Sequence, residues 1–197
     1  MRLRKEGARP TGRASAGRRL VTALATAGLL AFSLTSAVAA SPANAAPVHV
    51  FRSSASLPAG TWSLENRDAS LCLSSSGSDA TAKVYTCNSS SNQHWHRGNS
   101  HGNYQEIRNG DGQCLGIAGG STSAGAHAVV WSCNGHDDQF WLMEFPQIFN
   151  TPFFRNQRSQ LVIQVACDCG TNGAVTDQEP LASNANDLNQ LWFLQTF

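Results

Sequence analysis

The reactive side chains of this sequence fall into a few local groups, and each needs particular company before it can do chemistry. His94, His96 and His101 cluster around Trp95. On a strand, His94 and His96 project to the same side, as a metal pair would. No cysteine or carboxylate stands at a spacing that completes a tetrahedral ligand set, so they read as solvated surface histidines and neither a metal nor any other cofactor is expected. Asp137 and Asp138 are adjacent, but in an extended segment they point to opposite faces, a poor arrangement for shared acid–base work. No nucleophile elbow or His-Glu-x-x-His pair occurs in the chain, and the expectation is a protein that is not an enzyme. Cys167-Asp168-Cys169 could close a strained, easily reduced ring across one residue. A loop-stiffening bridge there is preferred to a redox or interchain contact on grounds of compartment, as follows.

The leader sets that compartment. Arg18-Arg19 precedes an apolar run from Leu20 to Leu34, then small residues with Ala43-Asn44-Ala45 as a cleavage site and Ala37-Val38-Ala39 as a second candidate. Together these are the parts of a secretory signal peptide over residues 1–45. Thr22, Thr26, Ser33 and Thr35 interrupt the run, leaving it short of the roughly 18–20 strongly apolar residues of a membrane span. Cleavage is therefore expected, with no membrane association afterwards. Export would put the six cysteines where disulfides persist. Seven of the 14 basic residues but only one of the 13 acids lie in the leader, so the remainder carries a net charge of −5. That argues against nucleic-acid binding, which needs a basic face to replace counterions. About 150 residues remain, the size of one domain and too few for a catalytic domain beside it.

After a lead-in over residues 46–59, no stretch keeps apolar residues at helical spacing for three turns. Short alternating pieces recur instead: Trp62/Leu64, Val84-Tyr85, Tyr104/Ile107, Phe140-Trp141-Leu142, Leu161/Ile163/Val165 and Leu191-Trp192-Phe193-Leu194. Gly, Ser, Asn and Asp separate them, the pattern of an all-β domain. The chain also repeats. Gln93-His94-Trp95, Gln139-Phe140-Trp141 and Gln190-Leu191-Trp192 share a Gln-x-Trp pattern, their glutamines 46 and 51 residues apart. Six residues before each glutamine stand Cys87, Cys133 and Asn184; upstream, Cys72-Leu73, Cys114-Leu115 and Leu161-Val162 match, and Arg108-Asn109 recurs as Arg155-Asn156. Repeat three has lost both cysteines together, which is what bonds Cys72–Cys87 and Cys114–Cys133 predict, although six cysteines allow 15 connectivities. Each bond would add about 3 kcal/mol on the loop-entropy account. Alternation makes Gln and Trp point inward and the residue between them outward, the amide satisfying loop backbone and the indole filling the core.

This phased set of three Gln-x-Trp motifs and two cysteine pairs resembles the ricin B-type lectins. The resemblance implies an all-β, β-trefoil domain over residues 60–197, with repeats at about 60–100, 101–145 and 146–197. It implies a secreted, non-catalytic module whose partner is a carbohydrate, held in shallow sites. In that family a site uses an aspartate two residues after the first cysteine, an aromatic two before the second, and the polar residue beside the Gln of Gln-x-Trp. Repeat one offers Ser74, Tyr85 and Asn92-Gln93; repeat two Gly116, Trp131 and Asp138-Gln139; repeat three Ile163, Ala182 and Asn189-Gln190. The aspartate is absent throughout, with Asp79 or Asp111 as nearby substitutes, and repeat three also lacks the aromatic. Weak sites are expected in repeats one and two, built on Tyr85, Asn92, Gln93, Trp131, Asp138 and Gln139. The rival expectation is a trefoil that has lost its sugar and serves as a protein-interaction or inhibitor scaffold.

Overall fold

The computed structural model describes residues 51–75, 80–147, 149–166, 170–183 and 187–197, with side chains from residue 54 onward. These all belong to the second of the two units into which the chain divides, Ala45–Phe197. The proposed leader, Asp79, Asn184 and the Cys167–Cys169 pair lie outside the described residues.

Thirteen strands form one sheet. Strand β1 (Phe51–Ala55) comes from the lead-in. Repeat one supplies β2 (Thr61–Asn66), β3 (Cys72–Ser74), β4 (Lys83–Tyr85) and β5 (Trp95–His101); repeat two supplies β6 (Tyr104–Asn109), β7 (Cys114–Ile117), β8 (Ala126–Trp131) and β9 (Phe140–Pro146). Repeat three supplies β10 (Phe153–Asn156), β11 (Val162–Val165), β12 (Ala174–Glu179) and β13 (Trp192–Thr196). The first and last strands of the repeats pair in succession, β2 with β5, β5 with β6, β6 with β9 and β9 with β10. Strand β13 pairs with β2, and the Trp192 amide donates to the Pro152 carbonyl at 2.9 Å, which joins the last strand to the start of β10. The inner hairpins β3–β4, β7–β8 and β11–β12 meet one another through β12–β4, β12–β8 and a bridge between Thr81 and Val129. A closed ring of strands capped by three mutually paired hairpins is a β-trefoil, and closure removes the exposed sheet edges that invite aggregation.

The Gln-x-Trp motif does the same work three times. The indole N–H of Trp95 donates to the Leu73 carbonyl at 3.0 Å, that of Trp141 to Leu115 at 2.9 Å, and that of Trp192 to Ile163 at 3.2 Å. Gln93 accepts from the Asn88 amide and donates to the Thr86 carbonyl; Gln139 accepts from Asn134 and donates to Ser132; Gln190 accepts from Ala182 and donates to Pro180. All three tryptophans and Trp62 are fully buried. Buried indoles with a satisfied N–H contribute area without an orphan donor. The outward expectation for the middle residue holds only in part. His94 is half-buried, but Phe140 and Leu191 are buried as well. Leu191 packs with Phe153 and Val162 in a second apolar cluster on the outer side, with Phe149, Leu181 and Leu188 against it.

Hydrogen bonding also shifts the alignment of repeat three. The amides of Asn66, Asn109 and Asn156 donate to the carbonyls of Leu71, Gln113 and Leu161, so the turn of repeat two is one residue shorter than the others. The residue before each acceptor is left-handed, Ser70 at φ 52°, Gly112 at 77° and Gln160 at 62°. The counterparts of Cys72 and Cys114 are therefore Val162, not Leu161. The glutamine bonds place Leu181, not Asn184, opposite Cys87 and Cys133, because the loop before Gln190 is longer by three residues. Disulfides Cys72–Cys87 and Cys114–Cys133 are formed. In repeat three their place is taken by Val162 and Leu181, both within the outer apolar cluster. An apolar contact replaces the covalent one.

The lead-in is knitted into this unit. Strand β1 runs antiparallel to β9, and buried Leu57 donates its amide to Gln105 Oε1 at 2.6 Å while its carbonyl accepts from Arg97 at 3.2 Å.

Candidate functional site

Among the five tryptophans, one breaks the pattern. Trp131, the last residue of β8, is 39% exposed. It sits opposite Cys114 in the β7–β8 ladder, and the Cys114–Cys133 bond ties the chain just beyond it back to β7. Beside the ring lies an open groove of about 370 Å³ lined by Gly119, Gly120, Trp131, Asn134, His136, Asp138 and Arg158.

Each wall has a local cause. The bonds of Gln139 to Ser132 and Asn134 hold the loop that carries Asn134 and His136. Asp138 sits on the 3-10 turn Asp137–Gln139, whose carbonyl edge is held by the side-chain amide of Asn156, donating to the Asp138 carbonyl at 2.8 Å. Asn156 Oδ1 also accepts from the amide of Arg158 at 3.0 Å. One buried asparagine thus fixes Arg158, a residue of repeat three, against the site of repeat two. Next to Asp138 and Gln139, Gly116 leaves room for its neighbours: a Cβ there would lie 2.9 Å from Gln139 Cγ and 3.3 Å from Asp138 Oδ2. The space where the family carries its aspartate is thus partly filled by Asp138 from the other side. Gly120 is left-handed, and a Cβ on it would sit 3.4 Å from Arg158 Nε and 3.5 Å from Asp138 Oδ1. Its bare backbone keeps the slot between carboxyl and guanidinium open.

The Asp138 carboxyl is held above its ordinary value of 3.8, chiefly by burial; its own backbone amide, His136 and Arg158 pull the other way. Asp137 turns outward instead, its carboxylate 3.4 Å from His101 Nδ1. The adjacent acids therefore point apart, as expected for them, though from a 3-10 turn rather than a strand. The histidines also diverge: His94 lies against Phe197 at 4.3 Å between ring centroids, and His101 against Phe140 at 5.6 Å. Glu106, Cys114 and Cys133 come within ligand distance of one another, but both sulfurs are bonded to each other and Glu106 is engaged by Arg108 at 2.6 Å.

Of the expected site residues, Trp131 and Asp138 meet in the groove, with Gln139 fully buried behind them. Tyr85 and Asn92 belong to the corresponding face of repeat one. Tyr85 is half-buried, its hydroxyl 3.7 Å from the Cβ position of Gly173, and Asn92 Oδ1 is buried without a hydrogen-bond partner among the described residues. Gln93, like Gln139, is buried with both ends of its amide taken by loop backbone, so the two glutamines brace these sites from behind. In repeat three the corrected alignment replaces Ile163 and Ala182 by Gln164 and Glu179; Gln164 accepts from Gln190 at 3.2 Å, and the platform position is still not aromatic. Sequence reasoning missed Asn134, His136, Gly119–Gly120 and Arg158. A signal for Arg158 existed: it stands two residues after the recurring asparagine, where Asp68 and Asp111 stand in the other repeats.

The ricin-type β-trefoil lectin domain profile matches residues 60–192. The chain belongs to the ricin-type β-trefoil lectin family. Comparison with curated proteins finds no match. Among solved structures, this lectin domain is similar to ThreeFoil, a designed three-fold symmetric protein (TM-score 0.64, 23% identity, 70% of this chain and 99% of that one). It is also similar to the Rhizoctonia solani agglutinin (TM-score 0.59, 17% identity, 73% and 99%). A third likeness is to an exo-β-1,3-galactanase from Clostridium thermocellum (TM-score 0.64, 21% identity), covering 73% of this chain but only 31% of that one. At these identities the structures establish a shared trefoil, and what this lectin domain holds must be argued from its own groove.

Proposed function

We propose that this lectin domain is an exported, non-catalytic carbohydrate-binding module whose principal site is the groove of repeat two. The observation that carries the reading is the exposed indole of Trp131 at the edge of a polar groove while the other four tryptophans are buried. An aromatic face offers the apolar side of a sugar ring a stacking surface, and Asn134 and Asp138 stand where hydroxyls would need partners. Repeat one, with Tyr85 and Asn92, forms a lesser site; repeat three has no ring to stack on. The groove is shallow and open, so affinity per site is expected near the millimolar range, about −4 kcal/mol, and useful retention would come from several sites engaging one polysaccharide. The basic hydrophobic leader supports export, and the two disulfides are compatible with it.

A glycan array and affinity electrophoresis of the wild type, Trp131→Ala and the Trp131→Ala/Tyr85→Ala double variant test this. Loss of most signal in the first and of the remainder in the second is expected. No glycan signal, or one that survives the double substitution, refutes it. The rival scaffold reading draws on a different surface, an apolar hollow of about 340 Å³ formed by Pro58, Met143, Phe145, Pro152, Phe193 and Leu194. Under that reading substitutions at Phe193, and not at Trp131, would abolish the activity.

A further inference from the structure

We infer that the repeat-two groove selects an acidic sugar residue, with Arg158 reading its anionic group while Trp131 carries the ring. The inference rests on the carbohydrate reading of the groove and adds the class of ligand.

Five arginine side chains are described, and four are occupied. Arg67 donates to Thr151 at 3.3 Å and lies over the Phe149 ring at 4.1 Å; Arg97 donates to the Leu57 carbonyl at 3.2 Å. Arg108 is bound to Glu106 and Arg155 to Glu144, each at 2.6 Å. The guanidinium of Arg158 has no hydrogen-bond or ion-pair partner among the described residues, yet it lines the groove and is exposed to solvent. A guanidinium offers a planar fork of donors that fits a carboxylate or sulfate with two parallel bonds. Left free beside a stacking platform, it is set for an anion that arrives with a ring.

Among the described residues, Asp138 is the one acid in the lining of this groove, and its side chain is buried while Arg158 is exposed. Gly116, next to Asp138, adds no second carboxylate. Asp137 is not part of this groove's lining, its carboxylate lying 3.4 Å from His101 Nδ1. His136 lines both this groove and a neighbouring hollow of about 300 Å³ formed with Gly135, Asp137 and Arg158. The corresponding turns of the other repeats present Asp68 and Asp111 instead, so repeat two alone offers a cation at this place. Within a remainder whose net charge is −5, a lone cation at the platform is a local discriminator and not part of a general attraction to polyanions.

Uronic acids and sulfated sugars both present the required group, and one titration series separates them. Calorimetry or NMR shift titration would compare a glucuronic-acid-bearing xylo-oligosaccharide, the same compound with its carboxyl reduced to the alcohol, and a matched sulfated and unsulfated galactose disaccharide. The wild type is expected to hold at least one anionic form about tenfold more tightly than its neutral twin, with the ratio shrinking as salt is raised. Which pair shows the ratio identifies the source of the charge. In Arg158→Gln, a change at an exposed residue that leaves the thermal midpoint in place, the ratio collapses to about one. A ratio near one in the wild type, absence of binding to every acidic form, or a ratio that persists in Arg158→Gln overturns the inference. If instead Trp131→Ala binds every compound as the wild type does, the groove itself is not the carbohydrate site, and the underlying reading fails first.

Discussion

Replacing Gln139 by methionine keeps the length and bulk of the side chain and removes only the amide. The two bonds lost are from the Asn134 amide at 2.8 Å and to the Ser132 carbonyl at 3.0 Å. Gln139 is fully buried, but the loop it braces is exposed, so water can reach part of what is left unpaired. At about 0.5–1.5 kcal/mol net per bond, the substitution should cost about 1–3 kcal/mol. With a urea slope near 2 kcal/mol/M for a domain of this size, the midpoint should fall by about 0.5–1.5 M at unchanged slope. Gln93→Met should match it, having the same pair of bonds. Gln190→Met should cost the most, since its amide also donates to Gln164. The same samples measured for sugar binding separate brace from contact. A brace loses stability and loosens the Asn134 wall of the groove. A midpoint within about 0.2 M of wild type, with binding abolished, would refute the structural assignment of all three glutamines.

The corrected alignment of repeat three predicts that V162C/L181C forms a new bridge, detected as a linked peptide pair between positions 162 and 181; failure to oxidise there, or bonding elsewhere, counts against it. Gly116→Asp, which restores the family residue, should destabilise by about 1–3 kcal/mol and fail to improve binding, because its Cβ would fall 2.9 Å from Gln139 Cγ and its carboxylate beside that of Asp138. Asp138 binds its proton more tightly folded than unfolded, so its contribution to stability is complete below the ordinary value of 3.8 and is lost as pH rises through the raised folded value. Asp138→Asn should therefore be more stable than wild type at neutral pH, the gap closing toward acid; parallel melting curves across that range would contradict it. Reduction of the two disulfides should cost about 3 kcal/mol each and lower the midpoint stepwise as C114S/C133S and C72S/C87S are combined.

Much of this protein was determined along the chain. Three tryptophans each two residues past a glutamine, with cysteines lost in pairs, are local signals, and they sufficed for the trefoil, its repeat count and both described disulfides. That Trp131 and Asp138 line one groove matches the expectation that the resemblance attached to those marks. What the chain could not decide was anything that depends on a partner distant in sequence. The length of the loop before Gln190 hides which residues replace the cysteines, and only the hydrogen bonds of Gln190 reveal Leu181 and Val162 there. Solvent exposure is likewise a tertiary property: Trp62 is buried between β13 and β5, while Trp131 stands at the rim. Arg158 enters the site of repeat two from repeat three because Asn156 grips both its amide and the Asp138 carbonyl. The groove is lined across a repeat boundary because β10 pairs with β9, which lays Arg158, just past β10, beside the turn that carries Asp138.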